Sequence, residues 1–286
     1  MTTPALAIPL SDAKTITSQS RSNFSSAFFF LAAEKRTAIR RVYAFFRIID
    51  DVVDEETDIA QAKRSIDSLR QELLRTFDGK PTHPLFVELK ESIDRFSIPV
   101  DYFLKLIEGC EMDITKSRYK NFEELYEYCY RVASMVGLVC MKIFEYQSPT
   151  SEQTAVDLGV ALQLTNIIRD VGVDLQKNRI YIPKTDLEKF GVTENDLRQG
   201  LENEKWKALM NYQYERAMTF YEKGFSEFAR DKEKKLLAAR IMGVVYRRIL
   251  EKIREKNYPT LHTKVKLGFL EKFWILAKIL GSYYLI

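Results

Sequence analysis

Glycine and proline are scarce in this sequence, 11 and 8 of 286 residues, while leucine, alanine, glutamate, lysine and arginine dominate. So few turn formers among so many helix formers exclude a turn-rich β architecture and point to an all-α chain. Cysteine is scarcer still. Cys110, Cys129 and Cys140 are an odd set without metal-ligand spacing, which fits core filling in a reduced, cytoplasmic compartment rather than a disulfide scaffold. Nowhere do 18 apolar residues follow one another, so no transmembrane helix is expected. Met1 to Leu10 lacks the basic flank and long apolar stretch of a signal peptide, and residues 1–16 read as a loose tail. A net charge of +4, evenly mixed and without any base-reading module, excludes nucleic acid as a partner. No dinucleotide fingerprint is present, so NADPH is not expected.

What the chain does have is helical periodicity. With 46% hydrophobic and 29% charged residues it suits one large globular domain or two small ones. Roughly ten helices joined by short connectors are predicted. Apolar residues recur at three- and four-residue intervals over Asp58–Thr76, Pro84–Phe96, Asp101–Tyr119, Phe122–Tyr146, Ser151–Asp174, Glu204–Ala229 and Lys232–Lys256. Asp78-Gly79-Lys80-Pro81, Ser97-Ile98-Pro99 and Ser148-Pro149-Thr150 mark breaks. The run Lys177–Pro183 resists helix, because Pro183 and its alternation favour extended backbone. The stretch Leu267–Leu280, with Lys264, Lys266, Lys272 and Lys278 nearby, reads as a final helix packing on the core, or as an amphipathic helix resting on the inner face of an anionic membrane.

Two aspartate pairs with identical spacing stand about 120 residues apart: Asp50 with Asp54, and Asp170 with Asp174. At i,i+4 on a helix two carboxylates point the same way and repel each other, so a cation between them is the simplest reason to keep both pairs. Each pair belongs to a polar stripe. Tyr43, Arg47, Asp50 and Asp54 fall within about 60° of one another, and Gln163, Asn166, Asp170 and Asp174 within about 80°. The rest of each helix is apolar, which places the stripes on an internal cavity rather than an open surface. The competing reading pairs the carboxylates with Arg40, Arg41, Arg47 and Arg169. Oxygen-only donors favour a hard ion, Mg²⁺ or Mn²⁺, and Mg²⁺ held by a few carboxylates commonly shares its shell with phosphate oxygens. A phosphate or diphosphate substrate is therefore expected.

The segments Tyr43–Glu55, Tyr128–Gly137 and Ala161–Asp174, with Arg179-Ile180-Tyr181-Ile182-Pro183 following, resemble the squalene and phytoene synthases, and the similarity runs from about Ser20 to about Lys264. The resemblance implies a single isoprenoid synthase domain over residues 1–286, an all-α helical bundle around a central cavity with the two aspartate motifs facing each other across its mouth. It implies Mg²⁺-assisted loss of diphosphate from one allylic prenyl diphosphate and attack by the double bond of a second. Asp50, Asp54, Asn166, Asp170 and Asp174 would hold metal; Gln163 would complete the binding face; Arg47 and Arg179 would grip diphosphate; Tyr43 and Tyr246 match family tyrosines near the reacting centre. Phe24, Phe28, Phe29, Phe30, Phe45, Phe46, Met135, Val136, Leu138, Leu158, Leu162 and Leu164 are candidates for the lipid cavity wall, about half of them for plain core. Gly137 and Gly159 would admit a prenyl chain or a neighbouring helix at close range.

Within the family, Arg21–Leu31, Glu34-Lys35-Arg36, Lys189–Val192 and Ala238–Arg247 look most like bacterial hopanoid-pathway members, which condense two farnesyl diphosphates to presqualene diphosphate and leave the later steps to separate squalene-forming enzymes. The other readings are a phytoene or dehydrosqualene synthase, a complete NADPH-dependent squalene synthase, a chain-elongating or cyclising Mg²⁺ enzyme, and a non-catalytic prenyl-lipid binder. Some relatives carry a histidine or lysine where this chain has Ser20 and Ser22, and an arginine near the position of Lys264.

Overall fold

The computed structural model describes residues 28–55 and 58–284, excepting the side chains of 54, 55 and 282–284. Phe24, Ser20, Ser22 and the tail over residues 1–16 lie outside the described residues. A 3₁₀ turn, Phe28–Phe30, leads into twelve α-helical segments: α1 Ala33–Glu55, α2 Ile59–Phe77, α3 Pro84–Phe96, α4 Val100–Thr115, α5 Phe122–Cys129, α6 Met135–Phe144, α7 Ser151–Gln176, α8 Lys184–Phe190, α9 Glu194–Arg198, α10 Glu204–Gly224, α11 Leu237–Glu255 and α12 Phe269–Tyr284. Among the described residues there is no strand ladder. Arg118 and Ile180 form one isolated parallel bridge.

Local signals set most boundaries. Asp58 accepts from the Ala60 N–H at 2.9 Å to start α2, and Asn121 and Asn203 cap α5 and α10 in the same way. Gly79, at φ +79°, makes the break after α2 that Asp78-Gly79-Lys80-Pro81 predicts.

Four boundaries differ from the sequence pattern, and in each case a tertiary contact outweighs periodicity. The helix predicted to reach Tyr119 stops at Thr115, because residues 117–120 instead accept N–H groups from Ile180, Lys184 and Thr185. That pairing holds Arg179–Pro183 out of helix, as predicted, whereas Lys177 and Asn178, the latter at φ +55°, form a turn that ends α7 rather than the extended backbone expected there. The helix predicted to reach Ala229 ends at Gly224, and the next starts at Leu237 rather than Lys232. Between them, buried Glu227 takes hydrogen bonds from Tyr146, Thr150 and Arg230, and buried Asp231 takes the Lys235 and Leu236 N–H groups. The predicted helix Phe122–Tyr146 is interrupted at Tyr130–Ser134 by a π-helical turn.

The π turn matters for the site. An α-helix absorbs one only where neighbours reward it, and here Ser134 donates to the Val156 carbonyl at 2.8 Å while a Cβ on Gly159 would meet Ser134 Cα at 2.6 Å and Ser134 N at 2.8 Å. Gly159 thus admits a neighbouring helix, and so does Gly137, whose Cβ would meet the Ala155 carbonyl at 2.8 Å. The apolar core runs through all these elements, with α7 against α10, α6, α11 and the π turn, while α1 packs on α2, α3, α4 and α6. Helices α1 and α7 share no extensive seam, so the two aspartate stripes stand apart. Cys129 is buried, Cys110 and Cys140 are half-buried, and all three are free thiols.

Candidate active site

Along α7 between Leu162 and Asp174, Leu162, Gln163, Asn166, Asp170, Val173 and Asp174 lie on one arc of about 120° and all keep some exposure. Around the rest of that stretch, Ala161, Leu164, Thr165, Ile167, Ile168 and Val171 are buried. A helix enclosed by other elements and wet along one arc borders a cleft. At its inner end Gly159 meets the π turn and closes it.

Electrostatics divide the two outer aspartates of α7. Burial alone would raise the Asp170 carboxyl, but Arg169 donates to its oxygens at 2.9 and 2.5 Å and Lys264 Nζ lies 3.0 Å away, so it is held below the usual carboxylate range. Asp174 is the opposite. Burial, then the charges of Asp170 and Asp113, push it up to about 7 against the opposing pull of Arg179 and Lys177. Beside them the Asn166 Nδ2 donates to Gln163 Oε1 at 3.3 Å, which turns the amide so that its Oδ1, buried, has no hydrogen-bond partner among the described residues. Asn166 Oδ1 and Asp174 are therefore an unsatisfied acceptor and a carboxylate only partly compensated by Arg179 and Lys177 on one helix face.

Across the cleft, Tyr43 is half-buried on α1, and its hydroxyl influences that of Tyr246 on α11. Tyr246, 7% exposed, accepts a hydrogen bond from Arg169; burial raises its phenol and the arginine opposes that. The chain Tyr43, Tyr246, Arg169, Asp170 therefore runs from α1 to α7, but Asp50 and Arg47, 63 and 44% exposed, stand on open surface rather than lining an enclosed cleft as expected. Arg47 does not yet reach into it. Its guanidinium is 2.6 Å from Asp51 Oδ1 and 3.6 Å from Asp50 Oδ2, along its own helix. Here the arginine pairing reading holds for Arg47 and Arg169, whereas Arg41 turns away to Glu91. Arg179, at the C-terminal end of α7, acts on Asp174, Tyr119 and Tyr181. Among the described residues no three acidic, histidine or cysteine side chains form a ready-made metal centre. The Asp54 side chain lies outside the described residues. The donors stand as two half-sites.

Of the proposed wall, Phe45, Met135, Leu138, Leu158 and Leu164 are buried core. Phe28, Phe46, Val136 and Leu162 are half-buried against it, and Phe29 and Phe30 are exposed. Roughly half the wall is thus plain core, as expected.

Two participants have no local sequence signature. Asp113, from α4, accepts Tyr181 at 2.7 Å and Tyr128 at 2.8 Å; the Tyr181 ring stacks on Tyr128 and on Tyr119, whose buried hydroxyl has no partner among the described residues. Lys264 arrives from the loop after α11. That loop presses on α7 where Gly172 donates to the Thr260 carbonyl at 3.0 Å, and a Cβ on Gly172 would lie 2.3 Å from the Leu261 carbonyl oxygen. Gly172→Ala should therefore lower stability by about 1–3 kcal/mol and displace Lys264 from Asp170. Thermal melting checks this, and a midpoint equal to the parent's would show the seam to be slack.

The chain matches the squalene/phytoene synthase family model over residues 17–271. It is 32% identical to the 15-cis-phytoene synthase of Synechococcus elongatus over 88% of this chain and 86% of that protein, and 35% identical to phytoene synthase 2 of Solanum lycopersicum over 80% and 76%. Among solved structures, a dehydrosqualene synthase in complex with ligand superposes with TM-score 0.86 at 30% identity, covering 96% of both chains. The squalene synthase HpnC from Alicyclobacillus acidocaldarius does so with TM-score 0.79 at 29% identity, covering 86% of this chain and 93% of that one. With an all-α isoprenoid synthase fold and a match of this length, the chain belongs to the squalene/phytoene synthase family, whose members join prenyl diphosphates head to head.

Proposed function

We propose that this chain condenses two molecules of farnesyl diphosphate into presqualene diphosphate, releasing one diphosphate, in a Mg²⁺-dependent reaction. The observation that carries the reading is the α7 stripe, which presents an Asn166 Oδ1 without a hydrogen-bond partner among the described residues beside an Asp174 whose carboxyl is raised by burial and two neighbouring carboxylates. Oxygen donors in that electrostatic state fit a hard divalent cation, with Asp50, Asp54, Asn166, Asp170 and Asp174 as its holders. The two half-sites would be completed by the diphosphate between them. Bound Mg²⁺ supplies neutralisation of the charge that gathers on the leaving diphosphate.

The chain's own groups do the rest. Gln163 orients the Asn166 amide. Arg47, once released from Asp51, and Arg179 grip phosphate oxygens in bidentate fashion. Arg169 holds Tyr246 and Asp170 together, so the hydroxyls of Tyr246 and Tyr43 are presented to the reacting end of the substrate. Half-buried Phe46, Val136 and Leu162 offer an apolar, partly aromatic surface to the prenyl chains, where a delocalised cation is favoured over water.

Farnesyl over geranylgeranyl diphosphate is supported by the dehydrosqualene and squalene synthases among the solved relatives. The phytoene synthases at 32–35% identity favour a second reading, condensation of two geranylgeranyl diphosphates. Incubation of the protein with each labelled diphosphate and Mg²⁺ separates them. The expected product is presqualene diphosphate from the C15 substrate, unchanged by added NADPH, for a separate squalene-forming enzyme to consume. Phytoene from the C20 substrate would establish the second reading. Squalene on adding NADPH would make the chain a complete squalene synthase, a linear longer diphosphate an elongating enzyme, and no turnover of either substrate a prenyl-lipid binder.

A further inference from the structure

Helix α12 is anchored by one face and bare on the other. Ile279 is buried, Ile275, Leu276 and Leu280 pack against the core, and Lys252 of α11 donates to Glu271 at 2.6 Å. The plain reading of a final helix packed on the core therefore holds for that face. In its first two turns the face away from Ile275 and Ile279 carries Phe269, Leu270, Phe273 and Trp274, which remain 83, 70, 53 and 69% exposed. At 100° per residue the four fall within about 140°, so they form one patch rather than scattered side chains.

The charge around this patch has one sign. Lys266 precedes it and Lys278 follows it, both exposed, while half-buried Lys272 lies toward the anchored face. The only carboxylate described on α12, Glu271, is occupied by Lys252 and the Gly268 N–H. Phenylalanine and tryptophan side by side within a lysine rim match the headgroup boundary of an anionic bilayer, where rings enter the acyl edge and ammonium groups meet phosphates. Among the described residues no helix is long and apolar enough to cross a membrane, so the helix would lie in the surface plane. The patch is also close to the cleft. Lys264, held 3.0 Å from Asp170, precedes Phe269 by five residues, a span of at most about 18 Å.

We propose that this face of α12 docks the protein on an anionic membrane surface and holds the mouth of the cleft beside the bilayer that contains its prenyl substrate. The advantage to substrate entry rests on the function proposed above; the docking does not. The test uses the full chain with vesicles of phosphatidylcholine, with and without phosphatidylglycerol. Only two tryptophans are present and Trp206 is fully buried, so Trp274 reports the contact directly. Anionic vesicles should shift its emission to the blue and co-sediment the protein, and neutral vesicles should do so more weakly. Leu270→Glu with Phe273→Glu, which keeps the reporter, should weaken binding by about tenfold or more, while turnover of detergent-dispersed farnesyl diphosphate stays at the parent's level. Absence of binding to anionic vesicles, or binding that the double variant leaves intact, would overturn the proposal. So would a dimer in sedimentation equilibrium that the same variant dissolves without any lipid binding, since the face would then seat a second copy. Binding without turnover would leave the docking standing and sink the proposed activity.

Discussion

Asp174→Asn should make the metal-free protein more stable while costing about 10²- to 10³-fold or more in turnover. The folded Asp174 carboxyl is pushed up to about 7 by burial and by Asp170 and Asp113, whereas in the unfolded chain it titrates near the ordinary aspartate value of about 4. Between those values the folded state keeps a proton that the unfolded state gives up. Stability therefore falls as pH rises from about 4 to about 7 and levels off above it. Three units correspond to about 4 kcal/mol at most, and partial solvation of the cleft makes about 2 kcal/mol the expected gain. Asparagine fills the same volume without the charge, so the variant's advantage should be absent near pH 4 and complete at pH 8. Thermal melts with a chelator at both pH values read this directly. A variant no more stable than the parent at pH 8 would show that the carboxylate is compensated in the folded protein. Added Mg²⁺ should raise the parent's midpoint and leave the variant's nearly unmoved, because the ion supplies the missing compensation.

The difference between legible and illegible parts of this molecule follows from the range of the interactions. Both polar stripes could be found because i,i+4 geometry is local, and the arc from Leu162 to Asp174 keeps its exposure as the spacing requires. Helices whose ends are capped by their own residues, such as Pro84–Phe96, match their predicted bounds. Those ended by distant partners do not. The stop at Thr115 depends on Ile180 and Lys184, and the break after Gly224 depends on Glu227 reaching Tyr146 and Thr150. The same holds within the site. Asp113 enters it only because α4 packs where Tyr128 and Tyr181 converge, and Lys264 only because Gly172 lets the Thr260–Leu261 backbone approach α7. The equal spacing of Asp170 and Asp174 also conceals a difference that only tertiary structure creates. Arg169 and Lys264 outweigh burial at one; at the other burial, Asp170 and Asp113 outweigh Arg179 and Lys177.

Asp170→Asn should accordingly lose activity to a similar degree but move stability the other way. Asp170 is 16% exposed and Arg169 13%, their oxygens and nitrogens in contact, with Lys264 on the same carboxylate. Its lowered pKa means that the ion pair contributes stability above the unfolded value of about 4, which is lost as pH falls through the lower folded value. Neutralising the carboxylate leaves the enclosed guanidinium of Arg169 with the Tyr246 oxygen as its remaining partner. Removing one member of a buried pair costs about 3–5 kcal/mol. Here the amide oxygen still accepts a hydrogen bond and Lys264, 41% exposed, can turn to water, so about 1–3 kcal/mol is the expected loss at neutral pH. The loss should shrink as pH falls through the lowered folded value, once the parent's carboxylate is itself protonated. A loosened Arg169 also frees Tyr246, so the variant should lose substrate affinity together with turnover. Melting curves of the two asparagine variants, run side by side at pH 8 without metal, should thus lie on opposite sides of the parent's. If both shifted in the same direction, the charge asymmetry along α7 would be refuted.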